Sequence, residues 1–172
     1  MIYQFWLKFM TDPKLVIIGL ILYFVSWKCW PYYFPNIKHI SNEIKVIDGD
    51  TIIVGKMKIR LAGIDAPELE QNCSKEKCGQ KAKAFLLNLT SGKKVECSDE
   101  GVDKYGRTLS YCFVDKISIN AAMIESGNAV IYGLNGIMFY PQELKARYGQ
   151  KGLWRNEFIL PSKWRKINSQ KD

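Results

Sequence analysis

Apolar and polar residues alternate over several short segments in the middle of the chain, and this period of two is typical of half-buried β-strands. In the segment Met57-Lys58-Ile59-Arg60-Leu61, the three apolar side chains are predicted to face a core while Arg60 points the other way. Gly55-Lys56 is predicted to form the turn before this strand. The same pattern predicts strands over Glu43–Ile47, Thr51–Val54, Met57–Ala62, Lys94–Ser98 and Leu109–Val114.

Other segments have apolar residues at the spacing of a helix. In the first of them, Ala82, Phe85, Leu86 and Leu89 share one face, and Ser91-Gly92 follows as a stop signal. The predicted helices are Gln80–Leu89, Asn120–Ser126 and Pro141–Lys151. The segment Asn36–Asn42 is interpreted as a linker or a first strand. The aromatic residues near the C-terminus, Trp154, Phe158 and Trp164, are expected to pack on the domain rather than bind nucleotides.

The N-terminus carries a separate apolar unit. Leu15–Trp27 is uncharged and mostly apolar, and lysines flank it on both sides. A spanning helix needs about 20 residues, which the segment reaches if it extends to Phe34 and Lys28 snorkels to the interface. Because no Ala-x-Ala cleavage site precedes the domain, we favour an uncleaved signal anchor. A cleaved signal peptide and a buried hydrophobic helix stay open.

We therefore divide the 172 residues into an anchor, residues 1–35, and one globular domain with a basic C-terminal extension, residues 36–172. The formal charge is +8, and from residue 145 onward eight basic residues face only Glu157 and Asp172. A basic field favours nucleic acid or an anionic membrane surface, although a merely soluble basic face is the alternative. The single histidine, His39, argues against a centre built on paired histidines.

Two segments close together in the chain hold carboxylates that suit a hard cation. They are Val46-Ile47-Asp48-Gly49-Asp50-Thr51 and Arg60-Leu61-Ala62-Gly63-Ile64-Asp65-Ala66-Pro67-Glu68. Calcium prefers carboxylate, carbonyl and water oxygens, so Asp50, Asp65 and the carbonyl of Ala66 are candidate ligands. Pro67 bends the chain and can aim Asp65 and Glu68 at one small volume. Glu68 is then a candidate general base for a metal-associated water.

Two arginines complete a set that suits phosphodiester chemistry. Arg60 precedes the carboxylates, and Arg107 ends the later segment Asp103-Lys104-Tyr105-Gly106-Arg107. A guanidinium stays charged and can hold two phosphate oxygens at once. Taken singly, each feature has an ordinary explanation, since Asp48-Gly49-Asp50 is typical of a turn and each arginine of a solvated face. Their joint occurrence favours a site, in which Asp48 is expected to form hydrogen bonds within the bend.

These motifs resemble those of the staphylococcal-nuclease-like (thermonuclease) family, and the resemblance runs from about Ile44 to about Trp154. It implies an α+β fold in which helices pack on a five-stranded OB-fold β-barrel. It also implies a calcium-dependent nuclease that cleaves DNA and RNA with little sequence preference. The roles that it implies are Ca²⁺ ligation by Asp50, Asp65 and Ala66, catalysis by Glu68, and phosphate binding by Arg60 and Arg107.

The chain departs from the family in one place. The family often has a tyrosine pair that packs on the nucleotide, whereas here Tyr132 alone lies nearby and is displaced by one position. Bases stack on any aromatic ring, so Tyr132 or Tyr140 could substitute. A tyrosine of the core or the rim is the alternative.

Four cysteines of the domain suggest two disulfides, as in small exported proteins. We favour the pairs Cys73–Cys78 and Cys97–Cys112, because both join local elements, and some exported family members are similar in this arrangement. Buried free thiols and a Cys₄ metal site are the alternatives. The disulfides would place the domain in the periplasm or outside the cell, either anchored or secreted after signal cleavage.

The favoured function is therefore an anchored or secreted calcium-dependent nuclease with DNA and RNA as substrates. We expect a monomer that contacts the membrane through its N-terminal segment and has no protein partner. A non-catalytic OB-fold binding module and an envelope interaction protein are the alternatives. A pure binder would need neither Glu68 nor its combination with Arg60 and Arg107, so the motif set favours the enzyme.

Overall fold

The computed structural model describes residues 12–33 and 35–169. The chain divides into two units, the first ending at Phe34 and the second beginning at Pro35. In the first unit, helix α1 extends over Pro13–Tyr33 and exposes apolar side chains such as Leu20 and Leu22. Phe34, the predicted end of the spanning segment, lies outside the described residues.

None of the helices in the described ranges is long and apolar enough to cross a membrane.

The second unit mixes strands and helices. Its strands are β1 Ile37–Ser41, β2 Ile44–Val46, β3 Thr51–Val54, β4 Met57–Leu61, β5 Ile64–Asp65, β6 Val95–Val102, β7 Thr108–Val114, β8 Ile117–Ser118 and β9 Val130–Ile131. Its helices are α2 Cys78–Thr90, α3 Ile119–Glu125, α4 Tyr140–Tyr148 and α5 Pro161–Asn168, with 3₁₀ turns at Leu134–Phe139 and Gly152–Arg155. The predicted α+β class and the three predicted helices are confirmed.

The predicted five-stranded OB-fold β-barrel differs from the structure, in which the main sheet has more strands and is not closed. The main sheet has seven strands in the order β1-β6-β7-β4-β3-β2, with β8 paired to β7, while β5 and β9 form a separate pair. Strands β1 and β2 end this sheet on opposite sides, yet only Asn42 and Glu43 connect them. The sheet must therefore curl until its ends approach. The ends approach each other near Ser41 of β1, whose Oγ would lie 3.7 Å from a Cβ on Gly55 just after β3, and within the described residues β1 and β2 do not pair with each other.

The extra strands come from segments without a strong strand pattern. β1 forms in the segment interpreted as a linker or first strand, and β8 adds two residues after a tight turn at Asp115 and Lys116. Both turn residues have positive φ, as a two-residue hairpin of type I′ requires, although neither is glycine or asparagine. A turn of this composition gives little signal in sequence.

Apolar residues from the sheet and the helices form one core. Ile59 and Leu61 are fully buried as predicted, and so are Ala82 and Leu86 on the predicted apolar face of α2. The prediction for Met57 is wrong, because it is 40% exposed at the end of β4 beside the Gly55-Lys56 turn. The predicted packing of Trp154 and Phe158 is confirmed, since both contact a cluster of buried residues that includes Leu153.

Both predicted disulfides, Cys73–Cys78 and Cys97–Cys112, are present. The alternatives of free thiols and a Cys₄ metal site are therefore wrong. Cys97 and Cys112 lie directly opposite each other on β6 and β7 and are fully buried. The Cys97–Cys112 disulfide thus joins the two strands of the hairpin whose loop carries Arg107.

We predict that the double variant Cys97→Ala, Cys112→Ala loses about 3 kcal/mol of unfolding free energy, because its crosslink closes a loop of about 15 residues. The matched control is Cys73→Ala, Cys78→Ala, for which the same chain-entropy relation gives about 2 kcal/mol. Urea unfolding of both oxidised variants measures the difference. Wild-type stability in the first variant would contradict the bracing role.

Candidate active site

The loop between β2 and β3 places the first carboxylate. Asp48 Oδ1 accepts a hydrogen bond from Asp50 N–H at 3.0 Å, which confirms that Asp48 stabilises the bend. Gly49 allows the loop to approach its neighbours closely. A Cβ at this position would lie 2.6 Å from Ala66 Cβ and 2.8 Å from Ala82 Cβ. The glycine therefore lets Asp50 lie beside Ala66 and the second carboxylate segment.

Strand β5 places the second carboxylate. Asp65 pairs with Val130 of β9, and its side chain is almost fully buried. The turn before β5 depends on Gly63, which has φ +74° and approaches Asn135 so closely that a Cβ would lie 2.5 Å from its carbonyl oxygen. Tyr132 N–H continues the pairing by donating to Gly63 O at 3.0 Å. One local arrangement thus fixes both Asp65 and Tyr132.

Arg60 joins the two aspartates. Its Nη1 donates to Asp50 Oδ1, and its Nη2 donates to Asp65 Oδ1 at 2.9 Å. Arg60 lies opposite Thr51 in the β3–β4 ladder, which places it beside Asp50, the residue before Thr51. Its side chain is only 12% exposed. Each of these buried charges is therefore paired, which removes most of the penalty of burying them.

The Asp50 carboxyl is held at an unusual pKa. Burial raises its pKa to about 7, the positive charge of Arg60 opposes this rise, and the neighbouring Asp48 and Asp65 add to it. Because burial disfavours the ionised form of this carboxyl, a further cation beside it would stabilise that form. Burial and charge at Asp50 are therefore compatible with a cation ligand, which stays a prediction.

Two of the predicted calcium ligands, Asp50 and Asp65, keep acceptor positions that a cation could use. A carboxylate offers about four acceptor positions. Asp50 uses three, because Oδ1 accepts from Arg60 and Thr51 and Oδ2 accepts from Ala66 N–H at 3.0 Å. Asp65 also uses three, as Oδ1 accepts from two arginines and Oδ2 from one. Each aspartate thus keeps about one acceptor position on a hard oxygen, as calcium prefers.

The ligand set is small. Within residues 12–33 and 35–169, no group of three or more histidine, cysteine, aspartate or glutamate side chains is arranged to hold a metal ion. The predicted set has two carboxylates and the backbone carbonyl of Ala66, so water or substrate oxygens would complete the six to eight ligands of calcium. Asp50, Asp65 and Ala66 stay a prediction as its ligands.

Glu68 lies at the rim of the site. Its backbone forms a turn in which Gln71 N–H donates to Glu68 O at 2.8 Å. Helix α2 begins directly against this turn, because a Cβ on Gly79 would lie 1.7 Å from Glu68 O. The carboxylate of Glu68 is one-third exposed, and the same guanidinium, that of Arg165, binds both Glu68 and Asp65. The bend at Pro67 thus brings Asp65 and Glu68 together as predicted.

Arg107 approaches from the β6–β7 hairpin. Asp103 Oδ1 accepts from Tyr105 N–H at 2.8 Å and from Arg107 N–H at 2.9 Å, while Oδ2 accepts from Arg107 Nε at 2.7 Å. Desolvation opposes ionisation of Asp103, but these hydrogen bonds outweigh it and lower its pKa. Sequence reasoning missed Asp103 as the residue that holds Arg107. An acidic residue four positions before the arginine in a tight loop was the available signal.

The parallel pairing of β4 with β7 brings the two predicted phosphate-binding arginines to the same region. Arg60 lies opposite Leu109, two residues beyond Arg107. Buried Asn120 reinforces this junction, since its Nδ2 donates to Ala62 O at 2.9 Å and to Ser110 O at 3.2 Å.

A cleft of about 870 Å³ collects these side chains. Its lining includes Asp50, Arg60, Ala66, Glu68, Arg107, Tyr132 and Arg165. Asp65 is 1% exposed and does not line the cleft, so it contributes to the site from beneath the surface. Tyr132 is half-exposed at the cleft, whereas Tyr140 does not line it, which makes Tyr132 the better placed of the two for stacking on a base.

Arg165 is the functional candidate that sequence reasoning missed. It belongs to α5, and its Nη1 donates to Glu68 Oε1 at 2.7 Å, while Nη2 donates to both oxygens of Asp65 at 3.0 Å. Burial lowers the pKa of Arg165, but the bond to Glu68 and the charge of Asp65 outweigh burial and raise it above its usual value. Pro161 signals a helix start, but no sequence pattern indicates that this helix folds back across about a hundred residues.

Comparisons with known proteins indicate the family of this chain. The family model for staphylococcal nuclease homologues matches residues 58–156. An uncharacterized endonuclease of Haemophilus influenzae is 33% identical over 166 residues, which cover 91% of this chain and 88% of that protein. Micrococcal nuclease of Shigella flexneri is 33% identical over 143 residues, covering 73% and 79% of the two chains. The chain belongs to the staphylococcal nuclease family, and the predicted enzyme class, an endonuclease that hydrolyses ester bonds, is confirmed.

Proposed function

We propose that the protein is a calcium-dependent nuclease that hydrolyses phosphodiester bonds of DNA and RNA with low sequence specificity. The observation that carries the proposal is the pair of buried aspartates, joined by Arg60, at a cleft that Asp50, Glu68 and Arg107 line. A cation site, a carboxylate base and guanidinium groups at one cleft are the parts that phosphodiester hydrolysis requires.

Asp50, Asp65 and the carbonyl of Ala66 would hold the calcium, which when bound supplies positive charge to the phosphate oxygens. Glu68 accepts the proton of the attacking water, whose oxygen forms the new bond to phosphorus while the bond to the leaving oxygen breaks. Arg60 uses one N–H group on each aspartate, and Arg107 uses Nε and Nη2 on Asp103, so both arginines keep other N–H groups for phosphate oxygens. Their charge stabilises the pentacoordinate transition state.

Low sequence preference follows from the kind of contacts that the cleft offers. Its charged groups suit the phosphate backbone, which is the same in every sequence. The exposed ring of Tyr132 presents a stacking face that any base can use. The net charge of +8 adds general attraction to polyanions.

We also propose that the domain works outside the cytoplasm, attached to the membrane by its N-terminal segment. The two disulfides support an oxidising compartment. The uncharged apolar run Leu15–Trp27 supports the attachment.

We expect purified full-length protein to release acid-soluble nucleotides from single-stranded DNA and RNA with calcium and to stop with excess chelator. Magnesium should support less turnover, because its octahedral shell dehydrates reluctantly. Asp50→Asn should raise the calcium concentration that half-maximal activity needs, whereas Asp115→Asn, at an exposed carboxylate, should leave it unchanged. Undiminished activity in chelator would refute the metal role.

Glu68→Gln should lower kcat by at least about a hundredfold, the effect typical of removing a general base, with substrate binding largely retained. Glu70→Gln, two residues away and exposed, is the matched control and should keep wild-type kcat. Single-turnover and steady-state assays separate chemistry from binding. A folded Glu68→Gln variant with near wild-type turnover would favour a binding module over an enzyme.

Arg107→Ala should lose at least about a hundredfold in kcat, because it removes charge that stabilises the transition state. Lys116→Ala removes a cation from an exposed hairpin turn and is the charge-matched control. Equal rates for the two variants at low salt would mean that Arg107 acts only through general attraction.

If the N-terminal segment is an anchor, the full-length protein should stay in membranes after high-salt and alkaline washing. Attachment through the basic tail alone would be released by salt. Protease added outside spheroplasts should digest the domain. Release of the protein by the wash would contradict the anchor. Digestion of the domain only after lysis would contradict its predicted orientation.

A further inference from the structure

The C-terminal segment is docked on the turn that carries Glu68. Gln71 is fully buried, and its Nε2 donates to Ile159 O at 2.7 Å, two residues before α5 begins. The Oε1 of the same side chain accepts from Glu68 N–H at 3.3 Å. Gln71 thus links the backbone of the Glu68 turn directly to the chain that enters α5.

Arg165 makes the second link, and it acts on the carboxylate itself. Helix α5 begins at buried Pro161, which fixes the start of the helix that carries Arg165. The guanidinium then spans two acidic groups, with Nη1 on Glu68 Oε1 and Nη2 on both oxygens of Asp65. Because the guanidinium is planar and rigid, this double contact sets the distance and direction between Glu68 and Asp65.

The contact leaves Oε2 of Glu68 available to accept a proton. Only Oε1 of Glu68 accepts from Arg165, and within the described part of the chain Oε2 has no hydrogen-bond partner. Arg165 is itself 37% exposed and lines the cleft, so it belongs to the surface that substrate meets. An ordinary stabilising ion pair would need neither this location nor a shared contact with a buried aspartate.

We infer that Arg165 is a positioning residue for the reaction, which holds one oxygen of Glu68 against Asp65 so that the other can accept the proton of the attacking water. This inference rests on the proposed role of Glu68 as general base. It makes the C-terminal helix, which lies beyond residues 58–156 of the family match, a working part of the active site. A C-terminal segment docked in this way would complete the centre rather than merely extend the domain.

The test is a kinetic comparison in the full-length protein with calcium and single-stranded DNA. Arg165→Ala should lower kcat by about 10- to 100-fold, the usual cost of removing a group that orients a functional residue, with little change in KM. Arg165→Lys keeps the charge without the planar fork and should recover part of the loss. Lys166→Ala removes an exposed charge from the same helix and should keep wild-type kcat.

A double-variant cycle separates this inference from the proposed function. If Arg165 acts through Glu68, then adding Arg165→Ala to Glu68→Gln should produce no further loss. Full activity of Glu68→Gln alone would refute the proposed function. A Glu68→Gln variant that is inactive beside an Arg165→Ala variant that is active would refute the positioning role alone.

Three further outcomes would overturn the inference. A higher rate for Arg165→Ala would make Arg165 an inhibitory occupant of the carboxylate site. A raised KM with unchanged kcat would make it a simple phosphate contact. If Arg165→Ala lowered kcat by the same factor in the wild-type protein and in Glu68→Gln, Arg165 would act independently of Glu68. Thermal unfolding of each variant checks that it is folded, and Arg165→Lys carries the comparison if the alanine variant unfolds.

Discussion

Two carboxylates buried side by side are stable only if positive charge is buried with them, and this requirement organises the domain. Asp50 comes from the loop before β3 and Asp65 from β5, and the guanidinium of Arg60 between them is what allows both to be desolvated. Gly49 is needed because a Cβ there would clash with Ala66 and Ala82, and Gly63 because a Cβ there would clash with Asn135. The sheet therefore supports a small charged centre, and the curl of the strands serves to bring its parts together.

The same requirement explains why the C-terminus returns to the site. Arg60 bonds Oδ1 of Asp65 but not Oδ2, and Arg165 supplies donors to both oxygens while it also reaches Glu68. Helix α5, near the C-terminus, thereby supplies positive charge to Asp65 and Glu68. Such a contact ties the orientation of Glu68, the proposed general base, to the folding of α5.

The fold and site were predictable where the signal was local. Alternation along Met57–Leu61 predicted the direction of Arg60, and the pairing of Cys97 with Cys112 followed from two neighbouring strands. The open sheet was not predictable, because pairing between strands distant in sequence leaves no periodic pattern. The roles of Asp103 and Arg165 were not predicted, for related reasons. In sequence, a carboxylate that positions an arginine resembles any turn residue. A basic residue near the C-terminus resembles any solvated surface charge.

The most direct test of the account is a crystal structure of the protein with calcium and a dinucleotide whose bridging phosphate is a hydrolysis-resistant phosphorothioate. The account predicts a calcium ion bound to both Asp50 and Asp65, with the phosphorothioate in the cleft in contact with Arg60 and Arg107. It also predicts an ordered water within hydrogen-bond distance of Glu68. A phosphorothioate bound outside the cleft, or calcium bound away from both aspartates, would contradict the central claim that this charged centre hydrolyses phosphodiesters.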